Sequence, residues 1–321
     1  MKQFVGMVIK CAVSIGLIAL FFRQIEWREI EAAAIQANVG LLCAAIGVFF
    51  VSNVLGAFQW RLLLQQQNIS LPLKQVVVLY FIGVFFNNFM IGNIGGDAMR
   101  IYDLRRITGR GISGFAATFL DRFIGLFALS CFSMFAYVFS SELWELALTG
   151  PIVVLGMGLL GVLCFGFSRR LSGILVQGLG KFMPIKIVEF MQNVRDSFLL
   201  YRRAYRILFG VALLSCGVQV LRVWVYYLVG LAMGQTVTFV NYLVFIPMIA
   251  ITSAVPISFG GIGIREQMGK LLFGRVGMQP ATALTMMFLG YLAGIAASLI
   301  GGMAFVLRRS TTQFPKQETP A

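Results

Sequence analysis

The sequence predicts an all-α polytopic membrane protein, and three observations support that class. Of the 321 residues, 59% are hydrophobic and only 12% are charged, whereas a soluble domain carries about 25% charged residues. The mean hydropathy is +0.87. Long apolar segments follow one another along the chain, and about 20 apolar residues are enough to cross a bilayer as a helix. We therefore expect one transmembrane domain over residues 1–310 and a disordered tail over residues 311–321.

Charge and composition narrow the possible functions. The formal net charge is +14, with 26 Lys and Arg residues against 12 Asp and Glu residues. In a membrane protein we attribute this excess to cationic cytoplasmic loops near anionic lipid head groups, and we expect no nucleic-acid partner. Histidine is absent, which excludes histidine metal ligands and Ser-His triads. The cysteines lie isolated in apolar segments, so we expect no disulfide, no metal site and no cofactor.

Eight apolar segments can be placed in order along the chain. They cover residues 4–22, 39–60, 76–91, 112–139, 147–167, 207–233, 242–259 and 281–307. The first segment is long for the apolar region of a signal peptide, and no A-x-A cleavage site follows it, so we interpret it as a span. A short acidic link at residues 140–149 leads into the fifth segment.

A basic connection over residues 169–206 separates the fifth and sixth segments. Within residues 185–206, apolar side chains recur at helical spacing, and Lys and Arg occupy other positions. Two interpretations remain open. The stretch is either an amphipathic helix on an anionic membrane surface or a helix packed on the protein itself.

Two of the apolar segments break into polar residues and glycine. Broken helices at membrane depth are tolerated only where the backbone is buried in protein or lines a wet cavity. We therefore interpret both breaks as parts of a binding site. The first break contributes Asn87, Asn88, Asn93, Gly95, Gly96, Asp97 and Arg100. The second break contributes Pro256, Ser258, Gly260, Gly261, Arg265 and Glu266.

The two breaks share a pattern that indicates an internal repeat. Gly260, Gly261 and Arg265 repeat the spacing of the earlier Gly-Gly-x-x-x-Arg motif, and a long apolar segment follows each break. The repeat halves would cover about residues 1–140 and 147–308. Six full spans plus two re-entrant segments place slightly more Lys and Arg on the cytoplasmic side than eight full spans do. Both termini are then cytoplasmic, and the halves form an inverted repeat, as in many transporters.

Three charged residues lie inside the fourth and sixth segments, namely Asp121 and Arg122 in the fourth and Arg222 in the sixth. Each would cost about 2.5–3.5 kcal/mol at a helix centre, so each needs a partner. Asp121 and Arg122 point about 100° apart on a helix, and Asp121 is the candidate partner of Arg222. Asp97 and Arg100 share a face if a helix begins beside them. All these ions either form structural salt bridges or bind a lipid head group.

Three motifs carry a resemblance to a known family. They are FFNNFMIGNIGGDAMR at residues 85–100, FLDRFIG at 119–125 and VPISFGGIGIREQ at 255–267. Over about residues 5–308 the chain resembles the lysylphosphatidylglycerol synthase transmembrane region, also called the flippase-like or UPF0104 family. The resemblance implies a multi-pass protein of the prokaryotic cytoplasmic membrane, and it implies that the polar residues of these motifs form the site.

In the best-understood members of the family, this region moves an aminoacylated phospholipid between leaflets. The soluble aminoacyl-transferase domain that follows in the synthases is not expected here, so the resemblance does not imply lipid aminoacylation. The leading hypothesis is therefore flipping of a phospholipid or polyprenyl-linked lipid through a cavity between the broken segments, without enzyme activity. The alternative is a membrane-embedded glycosyltransferase or an accessory protein that works with envelope-biosynthesis enzymes. Lipid identity, direction, coupling ion and oligomeric state stay open.

Overall fold

The computed structural model describes residues 37–89, 95–138, 192–193, 196–197, 200–201, 204–253 and 263–307. Its helices are α1 Val39–Gln66, α2 Leu73–Phe89, α3 Gly95–Thr108, α4 Gly111–Val138, α5 Tyr205–Ala232, α6 Phe239–Ser253, α7 Ile264–Gly274 and α8 Pro280–Leu307. No strand occurs in these parts of the chain, which confirms the all-α class. The predicted spans at residues 4–22 and 147–167, the link at 140–149 and the tail at 311–321 lie outside them.

Four of the described helices are long and apolar enough to cross a membrane, namely α1, α4, α5 and α8. Each has 28 residues, and at 1.5 Å per residue each is about 42 Å long, more than the ~30 Å hydrocarbon core. They confirm the predicted segments at 39–60, 112–139, 207–233 and 281–307. The largest difference is that α1 continues past Arg61 to Gln66.

The two broken segments form shorter helices. α2 has 17 residues and α6 has 15, or about 25 Å and 22 Å of helix. The predicted limits of these segments, at residues 91 and 259, lie outside the described parts of the chain. Each is followed by a shorter and more polar helix, α3 after α2 and α7 after α6.

Helices α1 and α5 pack side by side and run in opposite directions. The backbone N–H of Asn38, at the start of α1, donates to the carbonyl of Ala232 at the end of α5, at 2.8 Å. At the other end, the Tyr201 hydroxyl, just before α5, donates to the Leu63 carbonyl at 2.9 Å. The bundle therefore has two ends, which we name the Val39 end and the Gln66 end.

Helices α2 and α3 enter and leave the bundle at the Gln66 end. α2 begins a few residues after α1 ends. Arg110, just after α3, returns to the same place, because its Nη1 donates to the carbonyls of Gln67 and Asn68 at 3.2 and 2.9 Å. α4 then starts at this end and runs to the Val39 end.

Helices α6 and α7 repeat this arrangement at the Val39 end. α5 finishes at that end, and α6 follows after a short link. The ring of Phe273 near the end of α7 lies 4.8 Å from Tyr242 and 5.1 Å from Phe245, both near the start of α6. α8 then runs toward the Gln66 end, where Gly301 packs against the backbone of Phe81 in α2.

The described helices thus form two units with the same order of a long helix, a short apolar helix, a short polar helix and a long helix. Their packing is reciprocal. α2 of the first unit packs on α8 of the second, and α6 of the second packs on α4 of the first, around the central α1–α5 pair.

The described part of the basic connection packs on the end of α1. Gln67 donates from Nε2 to the Ser197 carbonyl at 2.8 Å, and Tyr201 is fully buried. These contacts place Ser197 and Tyr201 beside the end of α1, and most of residues 185–206 lie outside the described parts of the chain.

Candidate functional site

A cavity of about 420 Å³ lies between the helices near the middle of the bundle. It is bounded by residues from both units, which agrees with a site where the two units meet. Side chains from both broken segments reach it, and so do the ionisable residues inside the spans. The sequence-predicted residues that line it are Asn87, Asn88, Asp97, Asp121, Arg122, Arg222 and Arg265.

Asp97, in the first turn of α3, is the centre of an ion cluster beside the cavity. Arg122 of α4 binds it with a fork, in which Nε donates to Oδ2 at 2.8 Å and Nη2 donates to Oδ1 at 2.9 Å. Arg100 donates from Nη2 to the same Oδ1 at 2.5 Å. Hydrogen bonds between charged groups are among the strongest in proteins. The predicted Asp97–Arg100 pair is therefore present, and Asp97 fastens α3 to α4.

Arg100 is buried in spite of its charge, with 2% of its side chain exposed. Its guanidinium carbon lies 5.1 Å from the centre of the Trp60 ring and 4.7 Å from that of Tyr80. The faces of these rings attract a cation. Its Nη1 also lies 3.6 Å from Oδ2 of Asp121. The aromatic rings and the two carboxylates together compensate the buried charge.

Asp121 uses a different partner from the one that the sequence indicated. Its Oδ1 accepts from Nε2 of Gln59 in α1 at 2.9 Å. The expected Asp121–Arg222 pair is wrong, because Arg100 reaches Asp121 from α3 and Arg222 points to the Tyr80 hydroxyl, 3.5 Å from its Nη2. The expectation that the neighbours Asp121 and Arg122 have separate partners is confirmed.

The start of α3 is built by close backbone contact with α2. The Gly96 N–H donates to Oδ1 of Asn87 at 2.8 Å, which satisfies one of the free donors at a helix N-terminus. A side chain at Gly96 would overlap the carbonyl of Gly83 in α2, so only glycine fits. Asp97 then lies in the first turn, where a negative charge is favoured by the helix dipole.

Asn87 contacts α3, whereas Asn88 forms hydrogen bonds that connect α2 to α8 of the second unit. Its Nδ2 donates to Oγ of Ser298 in α8 at 2.9 Å. Its backbone carbonyl accepts a hydrogen bond from the hydroxyl of Tyr291, also in α8. The two adjacent asparagines therefore connect one helix to two different neighbours.

The second unit presents an arginine to the cavity but holds it differently. The guanidinium carbon of Arg265 lies 4.3 Å above the ring of Tyr291. Glu266 is buried and caps α7, because its Oε2 accepts from the Gly263 N–H at 2.6 Å. Gly263 has φ of 85°, a conformation that favours glycine. The predicted residues Asn93, Pro256, Ser258, Gly260 and Gly261 lie outside the residues that the structure describes.

Several cavity residues were not predicted from the sequence. Asn53, Gln59 and Gln219 are amides inside apolar spans, and that polarity alone was a usable signal. Tyr80 and Tyr291 also line the cavity, but a tyrosine in an apolar segment is common and gives no such signal. Their role is visible only when the helices are packed together.

The fold and this site define a polytopic helical membrane protein with a buried ion cluster. The sequence matches the family of the lysylphosphatidylglycerol synthase TM region over residues 7–302, and the chain belongs to that family. It is similar to a UPF0104 membrane protein of Pyrococcus horikoshii, with 25% identity over 342 residues covering 96% of this chain and 98% of that protein. A UPF0104 membrane protein of Methanothermobacter thermautotrophicus is 25% identical over 285 residues, covering 79% of each chain. No solved structure matches the chain.

Proposed function

We propose that the protein moves a phospholipid or polyprenyl-linked lipid between the leaflets of the cytoplasmic membrane. The observation that carries this proposal is the cavity with its ion cluster, enclosed by four helices of membrane-spanning length. Ionisable residues at membrane depth are costly, and they commonly mark the path of a substrate or ion. The head group would occupy the cavity while the hydrocarbon chains stay in the bilayer.

The arrangement of the short helices supports a transport mechanism. We propose that α2–α3 and α6–α7 are re-entrant pairs of an inverted repeat with six full spans and cytoplasmic termini. Each pair leaves the bundle at the end where it entered, and the two pairs use opposite ends. Transporters of this architecture bind substrate at the midplane and open alternately to the two sides.

The distribution of basic residues supports a cytoplasmic position for the Gln66 end. Among the described residues, the exposed cations at that end are Lys74, Arg105, Arg106, Arg110 and Arg206, whereas Lys270 and Arg275 are exposed on and just after α7, near the Val39 end. Cytoplasmic loops are enriched in Lys and Arg. The α2–α3 pair would then enter from the cytoplasm, and the α6–α7 pair from outside.

Cysteine labelling tests this topology. In a variant without native cysteines, Lys270→Cys should react with a membrane-impermeant thiol reagent in intact cells. Arg105→Cys should react only after the membrane is permeabilised, because it lies at the opposite end. Permeabilised cells, in which both positions should react, provide the control. Labelling of both positions in intact cells would contradict opposite entry of the two pairs.

Arg122 is the residue of the cluster best placed to contact a head group. It lines the cavity, and 38% of its side chain is exposed, although its fork is fixed by Asp97. The ion cluster has no surplus charge, because two arginines face two aspartates. A polar group of the lipid in the cavity would therefore contact Arg122 while the fork to Asp97 stays in place.

Lipid translocation in proteoliposomes tests the function. Wild-type protein should accelerate the transfer of a fluorescent phospholipid between leaflets, measured by the fraction that an impermeant quencher reaches with time. Arg122→Gln should slow this transfer about 10- to 100-fold, because a hydrogen bond to a charged group contributes about 1.5–3 kcal/mol. Arg105→Gln, at an exposed arginine of α3, is the matched control and should keep the wild-type rate.

The alternative functions give different results in the same system. An accessory protein without transport activity would leave the transfer rate at that of protein-free vesicles. A membrane-embedded glycosyltransferase would form a glycosylated lipid when given a polyprenyl-linked donor. Either result, with folded protein in the vesicles, would overturn the translocation proposal.

A further inference from the structure

We infer that the cavity binds the phosphate of a lipid at Arg222 and hydroxyl groups of the same head group at Asn53 and Gln59. This inference rests on the proposed function and names the lipid class. The ligand is an anionic lipid whose phosphate carries a hydroxylated group, such as a glycerol or a sugar. Phospholipids and polyprenyl-linked sugars share this chemistry.

Arg222 is the first part of the site. It lies in the second half of α5 and lines the cavity. Its Nε is buried without a hydrogen-bond partner, and its Nη2 has the long contact to Tyr80. Among the described residues, no carboxylate lies within ion-pair distance of it. Arg222 is partly exposed, and an anion in the cavity would accept a hydrogen bond from the Nε that has no partner.

The charge balance around Arg222 points to a ligand with one negative charge. Both aspartates of the ion cluster are already engaged by Arg100 and Arg122. Arg222 adds a positive charge to this balanced group. A phosphodiester carries one negative charge, and its oxygens match the planar donors of a guanidinium group.

Asn53 and Gln59 are the second part of the site, and hydrogen bonds fix the orientation of both amides. Asn53 donates from Nδ2 to the Phe49 carbonyl at 3.0 Å. Gln59 donates from Nε2 to Asp121 at 2.9 Å. Each amide must therefore present its oxygen on the other side, and both oxygens are buried without a partner. These oxygens can only accept hydrogen bonds, so they fit hydroxyl groups and not a phosphate.

Tyr80 places the two parts next to each other. Its hydroxyl lies against Gly56 of α1 and is contacted by Arg222. Gly56 is three residues from both Asn53 and Gln59, which is about 4.5 Å along a helix. Both amides therefore lie within one helical turn of Gly56, where the Tyr80 hydroxyl meets Arg222, and all of these side chains line the same cavity.

Lipid binding by the purified full-length protein tests this inference. The three lipids are phosphatidylglycerol, with a phosphate and hydroxyls, phosphatidylethanol, with the same charge and no hydroxyl, and diacylglycerol, with no phosphate. Their binding in detergent can be compared by native mass spectrometry. Wild-type protein should bind phosphatidylglycerol about 10-fold more tightly than either of the others.

Two variants separate the two contacts. Arg222→Gln should lower phosphatidylglycerol binding to the level of diacylglycerol. Asn53→Leu should reduce the preference for phosphatidylglycerol over phosphatidylethanol, because one of the two hydroxyl acceptors is lost while Arg222 is kept. Lys270→Gln, at an exposed cation on α7, is the control and should bind as the wild type does.

Equal wild-type binding of phosphatidylglycerol and phosphatidylethanol would overturn the hydroxyl contacts. Unchanged binding by folded Arg222→Gln would overturn the phosphate site. If Arg222→Gln does not fold, Arg222→Lys can be used, because lysine keeps the positive charge but lacks the planar donors of the guanidinium group. Unchanged phosphatidylglycerol binding by Arg222→Lys would overturn the contact between the guanidinium group and the phosphate. If the lipids bind in the expected pattern but the protein does not translocate lipid in vesicles, the result would contradict the proposed function and still support the binding site.

Discussion

Replacing Asp97 with asparagine should abolish lipid translocation and lower the free energy of unfolding by about 3 kcal/mol. Asparagine keeps the shape of the side chain and removes the charge that Arg100 and Arg122 share. Arg100 is then left buried with a single, more distant carboxylate. Removing one partner of a buried pair costs about 3–5 kcal/mol. We expect the lower value because Arg122 is partly exposed.

Unfolding of Asp97→Asn in detergent and its transfer rate in proteoliposomes measure these two effects. Asp196→Asn is the matched control, because it makes the same chemical change at an exposed carboxylate. That variant should equal the wild type in both measurements. If Asp97→Asn were as stable and as active as Asp196→Asn, the ion cluster would have no part in fold or function.

Replacing Gly96 with alanine should lower the free energy of unfolding by about 1–3 kcal/mol and impair translocation. The added methyl group would overlap the backbone carbonyl of Gly83 and the side chain of Asn87. A backbone atom cannot rotate away, so α3 must move from α2. That movement would also break the hydrogen bond between Gly96 and Asn87 and displace Asp97 from its arginines.

The matched control for this substitution is Gly217→Ala in α5. A side chain at Gly217 meets nothing within 4 Å, and alanine favours a helix by about 1 kcal/mol over glycine. The thermal unfolding temperature should therefore fall for Gly96→Ala and rise for Gly217→Ala, relative to the wild type. Equal stability of the two alanine variants would show that α2 and α3 are not in close backbone contact.

Apolar length and local spacing were enough to predict much of this molecule. The long apolar segments became α1, α4, α5 and α8 because spans of this length bury their backbone hydrogen bonds internally. The Asp97–Arg100 pair was predictable because residues three apart on a helix are neighbours. The Gly-Gly motif likewise marked the start of α3, where only glycine allows the backbones to approach.

The partners of the intramembrane ions were not predictable in the same way. Asp121 binds Gln59, and Arg222 points to Tyr80, across helices that are distant in the sequence. Which face of one helix meets which face of another depends on the packing of the whole bundle. A single chain carries no local pattern that decides between Gln59 and Arg222 as the partner of Asp121.

One residue of α8 makes the two short helix pairs mechanically dependent on each other. The ring of Tyr291 lies under Arg265 of α7, while its hydroxyl binds the backbone of Asn88 at the end of α2. If either helix pair moves, its contact with Tyr291 changes. Because the ring is rigid, the contact of Tyr291 with the other pair must then change too. Independent motion of the α2–α3 and α6–α7 pairs would therefore require Tyr291 to lose one of these two contacts.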